Sequence, residues 1–146
     1  MDCRMRRVNP SVAELLDRLT VDQIKEVLDP EHATSYAAEM AKLEHDLDLF
    51  LEEGGVRLGG HLIALVIALA QINLHLWRTK DEMQVAPDRF QECMKLAHQL
   101  NGLRNQLKNR ILEVVGGAPS ERKTNVSTED LQGWRLSVLA STPGGE

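Results

Sequence analysis

Aromatic side chains are scarce in this 146-residue chain, at 3%, and the five are Tyr36, Phe50, Trp77, Phe90 and Trp134. A core must therefore be assembled from Leu, Ile, Val, Ala and Met, which suits packed helices better than a strand-rich fold. The same scarcity removes the stacking platforms on which single-stranded nucleic acids are held. Cysteine is limited to Cys3 and Cys93. Two thiols, one near the chain end and one inside an apolar stripe, make no disulfide framework and fit a reducing compartment. Positive charge is in the minority: 17 Lys and Arg against 22 Asp and Glu leave a net charge of −5. An acidic surface repels phosphate backbones, so nucleic acid is not an expected partner. No apolar run reaches the roughly 20 residues of a membrane span. The most apolar stretch, Leu62 to Trp77, is shorter than that and carries Gln71, Asn73 and His75. Residues 1–10 form a basic arm without the apolar segment of a signal peptide behind it. A cytoplasmic protein without a membrane span is the expectation.

What is present is helical periodicity. The expected fold is all-α, an antiparallel bundle of four long helices over residues 11–115, with residues 116–146 as a linker and a short docking helix or tail. Ser11 caps the first helix, with Glu14 completing a capping box. Val12, Leu15, Leu16, Leu19, Ile24 and Val27 form its apolar face. Asp29-Pro30 opens a second helix whose seam is Ala33, Tyr36, Met40, Leu43, Leu47 and Phe50. The glycine pairs at 54–55 and 59–60 turn the chain into a third helix, His61 to Gln84. Pro87 opens a fourth, seamed by Phe90, Cys93, Leu96, Leu100, Leu103, Leu107, Ile111 and Val114 and stopped at Gly116-Gly117. Residues 120–126 read as a solvated linker. Ser127 to Leu139 reads as one short helix with Leu131, Trp134 and Val138 on one side.

Catalytic signatures are missing. The residues three before His32, His45, His61, His75 and His98 are Asp29, Lys42, Leu58, Ile72 and Lys95, so no Glu-x-x-His ligand pair of a di-metal bundle exists. No Gly-x-Ser-x-Gly elbow or Cys/His nucleophile pair stands out. No catalytic residue, metal or cofactor is expected. Two basic groups, the arm Arg4, Arg6, Arg7 and the fourth-helix set Asn101, Arg104, Asn105, Lys108, read as solvated surface.

Two features point to binding. Residues 62–70 are apolar around the whole circumference of the third helix, and a helix with no polar face must be covered on all sides. Three other helices can do this only if it is central or if a second subunit helps. Leu62, Leu65, Val66 and Leu69 are accordingly the expected homodimer surface, with Leu131, Trp134 and Val138 as a second partner-binding group that either engages another protein or docks on its own bundle. Asn73, Trp77, Lys80 and Asp81 fall on one helical face, and Asn73, inside an apolar stretch, needs a partner, for which Asp17, Arg18, Lys25, Asn101 and Arg104 are available. This group reads either as a register-fixing polar network or as a ligand cleft formed by Asn73, Trp77, Lys80 and Asp81 with Arg18 and Lys25.

The stretch Val12-Ala13-Glu14-Leu15-Leu16-Asp17-Arg18-Leu19-Thr20-Val21 resembles the Glu-Leu-x-Asp-Arg-Leu-(Ser/Thr)-Ile opening of an uncharacterised bacterial helical family often encoded near glycosyltransferases. Leu76-Trp77-Arg78-Thr79-Lys80-Asp81-Glu82-Met83 is similar to a second element of that family, which there lies close to the first and here lies in a different helix. The resemblance implies a bacterial cytoplasmic setting and a loose tie to surface polysaccharide. The expected function is a self-associating assembly or adaptor protein, with a small-ligand-binding protein or enzyme using a polar cleft beside Trp77 as the alternative.

Overall fold

The structure, a computed structural model, describes residues 10–116, 122–128 and 133–140. It is all-α, with no strand among these residues. Helix α1 spans Val12–Leu28, α2 Ala33–Glu53, α3 Gly60–Val85, α4 Phe90–Val115 and α5 Ser137–Ala140. Single 3-10 turns, Pro30–His32 and Pro87–Arg89, lead into α2 and α4. Each begins with a proline, whose fixed φ suits the first helical position. Helix boundaries thus fall within a few residues of those expected from periodicity.

Ser11 caps α1 by accepting a hydrogen bond from the Glu14 backbone N–H at 3.1 Å. The returning half of the expected capping box is not used, because the Glu14 carboxylate pairs with Lys108 and Lys123 instead. Gly116 closes α4 in the left-handed conformation (φ 80°), which glycine adopts without a Cβ penalty.

Helices α3 and α4 form a long antiparallel hairpin, and α1 lies against both. The pairs Glu14–Lys108 and Asp17–Arg104 run in opposite sequence directions, so α1 is antiparallel to α4 and parallel to α3. The main core lies between these three: Ala13 from α1, Leu62, Leu65, Leu69, Ile72 and Leu76 from α3, and Leu100, Leu103, Leu107 and Ile111 from α4. Helix α2 is the outlier. It packs on α1, burying Leu43 and Leu47 against Leu15 in a separate small cluster. Tyr36, Met40 and Phe50 of its expected seam stay half-buried. The bundle is therefore open on the side that a closed four-helix arrangement would have α2 cover.

This openness decides the fate of α3. Leu62, Leu65 and Leu69 are buried within the chain and Val66 is half-buried against the same core, so they serve the fold itself. The uncovered positions of the apolar half are instead Ile63 and Ile67, which are 44% and 59% exposed. By length and composition α3 could cross a membrane, and a third of its most apolar window is buried inside the chain.

Residues 122–128 are not a solvated linker. They form a strap along α4, whose amide side chains hold the strap backbone. Asn105 Nδ2 donates to the Asn125 carbonyl at 2.8 Å and Gln106 Nε2 to the Val126 carbonyl at 2.8 Å. Asn109 makes a reciprocal pair, donating to the Lys123 carbonyl at 2.9 Å and accepting from its backbone N–H at 2.6 Å. An irregular segment must satisfy its backbone groups somewhere, and these amides do it. Beyond the strap, Trp134 meets His75 of α3 edge-on with ring centroids 4.7 Å apart, and Val138 and Leu139 pack on the main core. The tail docks on its own bundle. Its helix is limited to four residues rather than the one expected from Ser127 to Leu139, and Leu131 lies outside the described residues.

Gly102 lies beneath the strap, where an added Cβ would come within 2.2 Å of the Ser127 carbonyl oxygen. Replacing a mid-helix glycine by alanine ordinarily stabilises by about 1 kcal/mol. Here the sign reverses: Gly102→Ala is expected to cost about 1–3 kcal/mol through overpacking, as read from urea unfolding midpoints.

Candidate functional site

The polar centre of the molecule is Asp17. It falls on the α1 stripe that also carries Ala13, Thr20 and Ile24, and its side chain is turned into the junction of α1, α3 and α4, where the residue is 3% exposed. Arg104 of α4 reaches it with two guanidinium nitrogens, Nε to Oδ1 at 2.9 Å and Nη2 to Oδ2. Asn73 of α3 donates to Asp17 Oδ1 at 2.9 Å and to Thr20 Oγ1 at 2.7 Å. Thr20 in turn donates to the Asp17 carbonyl at 2.7 Å, so its hydroxyl is used within α1. Lys108, one turn beyond Arg104, approaches Asp17 Oδ2 at 3.7 Å and Glu14 Oε1 at 2.8 Å. Lys123 from the strap closes the set on Glu14 Oε1 at 2.8 Å.

Two carboxylates and three cations thus tie α1, α4 and the strap together, and Asn73 joins α3 to them. Burial pushes the Asp17 carboxyl up, but hydrogen bonds from Arg104 and Asn73 and the charges of Arg104 and Lys108 outweigh it and hold the group below the usual carboxylate range. Glu14 is held low in the same way: burial opposes, and Lys108 and Lys123 prevail. Both acids therefore stabilise the fold above the ordinary carboxylate range, and that contribution is lost as pH falls through their lowered values. The expected solvated surface of Arg104, Asn105 and Lys108 is a correction. Asn105 and Lys108 are buried and Arg104 is half-buried, because Asp17 and Glu14 on α1 and the strap backbone receive their donors.

A cleft opens on each side of α1. The polar one, about 360 Å³, lies towards α2 and is lined by Glu14, Asp17, Arg18, Asp22 and Lys25 of α1, Glu39 of α2 and Arg104 of α4. Asp22 is 4% exposed, and its Oδ2 is buried without a hydrogen-bond partner among the described residues. Burial first, and then the charge and carboxyl of Glu39, raise its proton affinity, against the lowering influence of Lys25 and Arg18. Lys25 lies over the Tyr36 ring, 5.8 Å from its centroid, while Tyr36 donates to Asp29 Oδ2 at 2.9 Å.

The apolar cleft, about 420 Å³, lies between α1 and α3 and is walled by Leu19, Ile24, Val27, Leu28, Ala70 and Leu74, with Arg78 at one end. Of the residues expected to form one ligand face, Asn73 is absorbed into the Asp17 network, and Arg18 and Lys25 line the polar cleft. Trp77 is half-buried and lines neither cleft, and Lys80 and Asp81 are exposed further along α3. The six are not brought together. Among the described residues no group of three or more His, Cys, Asp or Glu side chains could hold a metal ion.

Comparison with family models, with curated proteins and with solved structures yields no match to this chain.

Two isosteric changes on α1 test the electrostatics, because opposite signs are expected. Asp17→Asn removes the one charge that Arg104 and Lys108 share and should cost about 3–5 kcal/mol in chemical unfolding. Asp22→Asn removes a buried carboxylate lacking a donor and should stabilise by about 1 kcal/mol at neutral pH. That gain should fade as acidification protonates Asp22 in the parent protein, whose folded state binds the proton more tightly than the unfolded chain does.

Proposed function

We propose that this protein is a helical assembly module that self-associates through the open α1–α3 face. The observation that carries this reading is the uncovered apolar stripe of α3, where Ile63, Ile67, Ala70 and Leu74 recur at helical spacing with no helix over Ile63 and Ile67 among the described residues. Val27 and Leu28 extend the apolar surface on α1, at 63% and 43% exposed. Large apolar patches rimmed by polar groups mark interaction sites, and Gln23, Gln71 and Arg78 supply such a rim.

The relief of this face suits a second copy. Its upper part is a ridge, Ile63 and Ile67, and its lower part is the cleft beside Ala70 and Leu74. From Ile67 to Leu74 is about 10 Å along the helix axis. A two-fold axis between those levels would seat the ridge of each copy in the cleft of the other, which is the self-complementarity an isologous interface requires. An assembly role also accords with a polar centre whose charges are consumed by one another.

The double variant Ile63→Glu/Ile67→Glu is expected to be monomeric by multi-angle light scattering at concentrations where the parent protein is dimeric. Its helical circular dichroism should be unchanged, because both side chains point away from the core. A parent protein that is monomeric at high micromolar concentration would refute the proposal.

A further inference from the structure

The polar cleft carries an unmet demand of definite chemistry. Asp22 presents a buried oxygen with lone pairs and no donor, and the group from α2 lining the same cleft is Glu39, a second acceptor. A hydrogen bond between two carboxyls requires one of them to carry a proton, so this pair neutralises itself only by protonation. Arg104 is spent on Asp17. Lys25 lies over Tyr36 and Arg18 is exposed; both act on Asp22 through their charge, and neither donates a hydrogen bond to its Oδ2 among the described residues. What the Asp22 oxygen lacks is an N–H donor.

We propose that the α1–α2 cleft binds a small organic cation with N–H donors, a primary ammonium or a guanidinium group, held between Asp22 and Glu39. An N–H donor directed at the bare Asp22 oxygen forms a charge-assisted hydrogen bond, shorter and stronger than one between neutral groups. The volume, about 360 Å³, lies in the range of small-molecule sites. A metal ion fits less well, since no three-ligand group of acids, His or Cys is assembled here among the described residues. Beside Asp22 on α1, Val21 and the stem of Arg18 supply apolar surface against which a short alkyl chain can lie. Because this cleft lies on the α2 side of α1 and the proposed self-association face on the α3 side, the two proposals stand or fall separately.

The test is a titration of the intact chain, followed by amide chemical shifts, with methylguanidinium chloride and with n-butylammonium chloride. Tetramethylammonium chloride at equal ionic strength serves as the cation without donors. The expected result is saturable shifts centred on α1 residues near Asp22 and on α2 residues near Glu39 with the first two salts and none with the third. Asp22→Asn, which removes a buried charge and so keeps the fold, should weaken binding by about tenfold. Glu39→Gln, on the opposite wall, should weaken it as well. Shifts that do not saturate, that appear equally with tetramethylammonium, or that survive unchanged in Asp22→Asn would overturn the proposal.

Discussion

Asp17 is an acid on the inner face of a helix, and its burial is tolerable only because three side chains from two other helices converge on its carboxylate. Arg104 supplies a two-pronged donor, Asn73 completes the inner side while also donating to Thr20, and Lys108 adds a second positive charge shared with Glu14. A carboxylate removed from water without such partners would cost several kcal/mol, so each contact is conditional on the others. Direction is part of what it specifies. Leucine seams tolerate sliding and rotation, whereas a planar guanidinium facing a carboxylate admits one register of α1 against α4 and, through Asn73, one against α3.

With α1 fixed in this way, the rest of the surface follows from the position of α2. That helix leans on α1 alone and leaves α3 bare along Ile63 and Ile67. One face of α1 is thereby committed to the core, and each flank becomes the wall of a cleft. The flank towards α2 collects Arg18, Asp22 and Lys25, and the flank towards α3 collects Ile24, Val27 and Leu28. A single amphipathic helix thus separates a polar recess from an apolar one.

Much of the fold was legible from spacing. The 3-and-4 recurrence of leucines marked all four long helices, and Pro30, Pro87 and Gly116 marked their ends, because these residues act on the backbone locally. The need of Asn73 for a partner, and Asp17 and Arg104 among the available ones, also followed from the sequence, since an amide within an apolar run has few ways to be satisfied. The strap escaped notice. Residues 122–128 have the polar composition of a linker, and their docking depends on Asn105, Gln106 and Asn109 forming a ladder from a helix nearby in space. Amides at a helix surface look the same in sequence whether water or backbone receives them. The choice of Leu62, Leu65 and Leu69 over Ile63 and Ile67 as the outward face had a similar cause. In a run apolar on every side, periodicity carries no information about which side faces in. The grouping of Trp77, Lys80 and Asp81 with Asn73 failed because one helical face passes from buried to exposed along its length.

The reach of Lys123 across to Glu14 has a consequence for synthesis. The cation that completes the α1 ion-pair network is encoded more than a hundred positions after the acid it meets. While the chain is being made, α1, α3 and most of α4 can associate, yet Gly102 is uncovered and the amides of Asn105 and Asn109 still face water until the strap emerges. Nascent chains therefore pass through a stage in which the helices are present but their outer seal is not. Completion of this architecture is timed by translation of residues 122–128.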